Sequence, residues 1–136
     1  MRILTVIALL GSLCALCAAR AETDVDPAVI EAAQPLAGVY LFTRKPEDGV
    51  TCVLYLEGKP DMSVMRAWVA AGCETQLFWM SDFSGWMPLD AGGIQLFGAE
   101  LTPLADFAVG KDGVLTSVIV NDGKTYTLIR APWVKD

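Results

Sequence analysis

The sequence predicts an all-β fold, an antiparallel meander closed into a small barrel or sandwich. Three observations predict it. Seven short apolar or alternating runs, rich in Val, Ile, Leu, Thr and Tyr, follow one another from Val39 to Ala131; these residue types suit a pleated, half-buried surface. Turn signals separate the runs at roughly ten-residue intervals, the spacing of small all-β domains. No βαβ rhythm is visible, so no parallel sheet is expected.

The chain has 136 residues, one domain's worth. It opens with Met1-Arg2, an uncharged apolar stretch from Ile3 to Ala19, and the small-x-small triplet Ala19-Arg20-Ala21. That layout is a cleavable secretory leader over residues 1–21, and the expected destination is an oxidising compartment outside the cytoplasm. A lipid anchor is not expected, because leucine precedes both Cys14 and Cys17. Cleavage after Ala21 removes Arg2 and Arg20. Ten bases become eight against sixteen acids, and the net charge moves from −6 to −8. Such a surface repels nucleic acid and anionic membranes. Two cysteines remain, Cys52 and Cys73. An even count in an exported protein reads as a disulfide.

Residues 22–35 form a separate N-terminal arm, and residues 36–136 the body. The arm reads ETDVDPAVIEAAQP, with carboxylates and no base. Pro27 and Pro35 bracket about two helical turns, with Asp26 as N-cap and Pro27 at an early helical position. Glu22, Thr23, Asp24, Val25 and Asp26 are expected to be extended and mobile, as chain ends are unless something ties them down. In the body the expected strands cover 39–43, 51–56, 63–70, 93–98, 105–109, 114–120 and 125–131. The expected turns are at 45–49, 57–61, 90–93, 111–113 and 121–123. Asn121-Asp122-Gly123 is the strongest hairpin signal, since these residues tolerate positive φ. Residues 74–80 read as a short helix followed by an aromatic-rich loop.

The chain holds no histidine. That removes Ser-His-Asp and Cys-His nucleophile systems and most catalytic zinc sites. No glycine-rich phosphate loop occurs at a strand-to-helix junction. Asp82, Asp90, Glu100 and Asp106 are candidate acid/base carboxylates, but they read as solvated charges at strand ends. The chain is therefore expected not to be an enzyme, and to need no cofactor and no metal of its own. Trp68, Trp79, Trp86 and Trp133, with Phe78 and Phe83, either line a ligand pocket or fill a core; core packing is the expectation, with Phe78, Trp79 and Phe83 partly exposed. A small-ligand-binding barrel of lipocalin or avidin type and a structural outer-membrane-associated protein stand as the alternatives.

One ordered set of residues carries a resemblance. Leu36-Ala37-Gly38-Val39-Tyr40 comes first, then Cys52 with Leu54 and Leu56, then Cys73. Gly85-Trp86-Met87-Pro88, Gly93-Ile94-Gln95-Leu96 and Leu104-Ala105-Asp106-Phe107 follow. Over nearly all of the processed chain this resembles the bacterial periplasmic inhibitors of serralysin-type metalloproteases, the alkaline protease inhibitor (Inh/AprI) family. The resemblance implies a small eight-stranded antiparallel up-and-down barrel with one disulfide, here Cys52 to Cys73. It implies a monomer whose N-terminal arm enters the active-site cleft of a secreted zinc metalloendopeptidase, with loops at one barrel end making a secondary contact. By position the protease-binding arm is Glu22, Thr23, Asp24, Val25 and Asp26. The chain departs from the family at Tyr40, where tryptophan is common, and in its acidic tip.

Overall fold

A computed structural model of the chain describes residues 23–44, 50–73, 81–120 and 123–131. Eight strands form a closed antiparallel barrel in simple sequential order. They are β1 (Gly38–Arg44), β2 (Val50–Asp61), β3 (Val64–Val69), β4 (Gly85–Pro88), β5 (Ile94–Phe97), β6 (Pro103–Val109), β7 (Leu115–Val120) and β8 (Tyr126–Arg130). Among the described residues, the helix α1 (Pro27–Ala33) and a 3₁₀ turn over Gln34–Leu36 precede β1. The helix starts as its sequence dictates. The Asp26 carboxylate accepts the Ala28 N–H at 2.8 Å, and Pro27 takes the first turn, where an N–H has no helical partner.

The barrel interior follows from alternation along each strand. Tyr40 and Phe42 on β1 face Leu54 and Cys52 on β2; Met65 faces Trp86; Trp86 faces Leu96; Ile94 faces Phe107; Leu115 faces Leu128. All of these side chains are buried. The Phe42 ring stacks on Tyr126 at 4.9 Å between centroids and meets the edge of Phe107 at 5.7 Å. Such pairs add about 0.5–1.5 kcal/mol beyond area burial. Trp86 is fully buried, and its indole N–H reaches the carbonyls of Glu57 and Arg66, both at 3.1 Å. Gly85 beside it must be glycine, because a Cβ there would run into Val64 and come within 2.9 Å of the Met65 carbonyl.

The joint between α1 and the barrel is held by three side chains. Tyr40 Oη donates to the Leu36 carbonyl at 2.6 Å. The Arg130 guanidinium donates to the carbonyls of Pro35 (3.0 Å) and Ala37 (2.7 Å). Gln34 donates to the carbonyls of Ile30 (2.9 Å) and Gly58 (2.7 Å). Gly58 admits that close approach, since a Cβ would sit 2.8 Å from the Gln34 amide oxygen.

The structure differs from the sequence reading at several places. Residues 57–61, expected as a turn, belong to β2; an irregular register between Leu56 and Pro60 takes up Gly58 and the missing proline N–H. The turn falls one residue later, at Met62-Ser63, between the paired Asp61 and Val64. β4 was not among the expected strands, because four residues with two buried positions carry too little alternation to read. Trp68 is not core. It stands 47% exposed on the outer face, stacked on Tyr55 at 3.6 Å, with its N–H on Glu57. Phe83 is half-buried and packs on the core. Trp79, Phe78, Trp133, the expected short helix at 74–80, the 45–49 turn, Asn121 and Asp122 lie outside the described residues, as do the leader 1–21 and Glu22.

Cys52 and Cys73 are both buried and lie in near-contact, 2.6 Å apart. The expected disulfide thus stands as a near-contact. In an oxidising compartment the two thiols should be found bonded: intact-mass measurement of the exported protein should read two hydrogens lighter than the reduced form. Replacing either cysteine by serine should then cost about 3 kcal/mol by denaturant titration. An unchanged mass on reduction would contradict the pairing.

Burial pushes the Tyr40 phenol above its ordinary value near 10.0, against the opposing pull of the Arg130 guanidinium. Because the folded value is raised, the neutral phenol's contribution is intact below about pH 10 and is lost as pH climbs through the folded value. Tyr40→Phe should cost about 1 kcal/mol at neutral pH through the lost hydrogen bond. It should also make the alkaline loss of stability above pH 10 shallower, as read by melting temperature across pH 8–12. An identical alkaline profile would show that Tyr40 does not carry that loss.

Candidate functional site: an anchored N-terminal root

The N-terminal segment is where the sequence places the site, and the structure finds residues 24–26, expected to be mobile, in contact with the barrel. Asp24 donates its N–H to the Met62 carbonyl at 3.1 Å, and Ser63 Oγ donates to the Asp24 carboxylate at 3.3 Å. Val25 is only 5% exposed and belongs to the hydrophobic core. Its N–H is capped by Thr23 Oγ1 at 2.9 Å. Asp26 caps α1. Residues 24–26 are therefore not a free arm but a root, fastened to the β2–β3 turn at the barrel end that carries α1.

The physical reason is one apolar residue among acids. Extension from the Asp26 cap carries Val25 into a site where its burial contributes about 1.5 kcal/mol or more, while Asp24 and Asp26 stay exposed. The signal was present in the sequence as a lone valine between two aspartates. Its docking partner, the Met62-Ser63 turn, was not legible, because the turn was read one step too early. With Asp24 held, a chain starting at Glu22 has two residues ahead of the first anchor, a reach of about 7 Å when extended.

The remaining candidates do not assemble into a catalytic centre. Asp82, Asp90 and Glu100 are exposed in connections between strands, and Asp106 sits partly buried on β6. Among the described residues, no three His, Cys, Asp or Glu side chains cluster as a metal-ligand set. A cleft of about 460 Å³ opens between the 3₁₀ turn after α1 and the β6–β7 connection, with Leu36, Tyr40, Val109 and Arg130 in its wall. Arg130, the cation among its described lining residues, already donates to two backbone carbonyls.

No protein-family model matches the chain. No curated protein matches it either. Among solved structures, the crystal structure of a psychrophilic marine protease MP inhibitor is similar: TM-score 0.54, 21% sequence identity, 74% of this chain and 98% of that chain covered. The likeness spans essentially the whole of that inhibitor and shows a shared barrel fold.

The anchoring has a measurable cost. Val25→Ala should lower stability by about 1–2 kcal/mol, the value of two buried methyl groups, in urea titration of the processed protein. A change below about 0.3 kcal/mol would mean that the segment is loose in solution.

Proposed function

We propose that this chain is an exported protein inhibitor of proteases, and that its target is a secreted serralysin-type zinc metalloprotease. The observation that carries the reading is the barrel shared with a protease inhibitor over 98% of that inhibitor's length. The ordered residues from Leu36 to Phe107 that resemble the alkaline protease inhibitor family support the finer assignment, and the leader over 1–21 supports a periplasmic site of action. The protein acts by occupying a cleft, not by turning over a substrate.

In this reading the root and the tip divide the work. Asp24 to Asp26, held by Met62, Ser63 and the core, set the position of the chain at the rim of the protease cleft. Thr23 and Glu22 continue into it. The Glu22 carboxylate is an acceptable zinc ligand at about 2.0–2.2 Å. The new α-amino group, with a reference pKa near 8, coordinates once deprotonated at little cost near neutral pH. Either group displaces the water that the protease needs as nucleophile. A root already ordered in the free inhibitor loses less entropy on binding than a free five-residue arm would.

Deleting Glu22 and Thr23 from the processed chain should abolish inhibition of a purified serralysin-type protease. Stability should fall by no more than about 1 kcal/mol, the value of the one hydrogen bond that Thr23 accepts from the Val25 N–H. Deleting Glu22 through Asp26 should abolish inhibition and also lower the melting temperature, by about 4–8 °C per kcal/mol of lost docking. Undiminished inhibition by the first truncation would overturn the assignment of the tip.

A further inference from the structure

A second surface lies beside the root and has no part in the tip mechanism. It is a groove of about 360 Å³ between the β2–β3 turn and the β5–β6 connection, lined by Asp61, Met62, Val64, Ser84, Glu100 and Leu101 among others. Two large apolar side chains stand out at its margins. Met62 is 79% exposed and Leu101 50% exposed. Both are held there by backbone that side chains rarely adopt: Met62 has φ 56°, Glu100 φ 55° and Leu101 φ 59°. A non-glycine residue in the left-handed region costs on the order of 1 kcal/mol and persists only when its surroundings enforce it. The chain thus spends stability at three positions around one groove, and the result is apolar surface facing water.

Among the described residues that line the groove, the charge is of one sign. Asp61 and Glu100 are exposed on its rim, and Asp24 sits beside Ser63 at the root. Lys59, the nearest base along β2, is not part of the lining. Arg66, further along the hairpin, is 3.7 Å from Glu57. The groove is also continuous with the root, because Met62 supplies both the carbonyl that holds Asp24 and the side chain at the groove margin.

We propose that this groove is a docking site for a partner-protein segment in which an apolar side chain is flanked by lysine or arginine. The apolar side chain fills the space between Met62, Val64 and Leu101, and the flanking cations meet Asp61 and Glu100. Assigning that segment to the target protease rests on the inhibitor reading; the chemistry of the occupant does not. With the protease as partner, the root at Asp24 forms a hinge point between two contacts, the tip in the cleft and the groove on a loop outside it. The rim charges speed encounter and confer salt dependence, and the apolar contact slows dissociation.

The test uses the processed protein with ¹³C-labelled methionine methyls. The probe is a short peptide of alternating leucine and lysine, set against its leucine–glutamate counterpart. The lysine peptide should shift the Met62 methyl resonance saturably, and more weakly as salt rises; the glutamate peptide should not. Asp61→Asn with Glu100→Gln should flatten the salt dependence. Against a purified serralysin-type protease, Met62→Ser with Leu101→Ser should weaken inhibition about tenfold, the equivalent of 1.4 kcal/mol, through faster dissociation. A Met62 methyl that ignores both peptides, or responds equally to both, overturns the groove whatever the protease result. A response to the lysine peptide without inhibition of the protease by the unmodified protein leaves the groove standing and removes the protease as its partner.

Discussion

Pairing of β8 with β1 removes the two edges that an eight-stranded sheet would otherwise present, and it does so with the residues that also hold the N-terminal segment. Tyr40 lies opposite Arg130 in that pairing. From those two positions the phenol grips the Leu36 carbonyl and the guanidinium grips Pro35 and Ala37. Closure of the barrel and placement of α1 are thus one event. Were β8 to separate, the barrel would gain two open edges, and the carbonyls of Pro35 and Ala37 would lose both hydrogen bonds from Arg130 at once.

Everything upstream inherits its position from that clasp. Gln34 ties the end of α1 to Gly58 on β2, and Ala33 is fully buried beneath it. At the other end of the helix, Asp26 caps, Val25 enters the core and Asp24 bonds the β2–β3 turn. The chain is thus fastened on both sides of a seven-residue helix. The Met62 turn that holds Asp24 also borders an apolar groove rimmed by acids.

Much of this was legible in the residues. The strand runs between Val39 and Ala131 coincide with seven of the eight strands, because alternation of apolar side chains is what burial on one face of a sheet requires. Asp26 and Pro27 announced the helix start through cap chemistry alone. β4 was hidden because its four residues owe their place to partners far away in sequence, Met65 on one side and Leu96 on the other. The docking of Val25 was hidden for the same reason: its partners are tertiary, and an acidic chain end reads as solvated until a buried neighbour is found. Trp68 reads as core by composition, yet its strand parity puts it outside, where Tyr55 and Glu57 take up its ring and its N–H. The strained turn at Met62 followed from a bulge no local pattern encodes; Gly58 and Pro60 resemble turn residues until the long pairing of β2 with β3 draws them into a strand.

Residues 24–26, just ahead of α1, belong to the folded body. Native-state hydrogen exchange at the Asp24 amide tests it most directly, because that N–H has one named acceptor, the Met62 carbonyl. Protection comparable to that of amides in the adjoining β2–β3 hairpin is expected, with exchange slowed well beyond the rate of an unstructured peptide. Exchange at the unstructured rate, in a protein whose barrel amides remain protected, would contradict it.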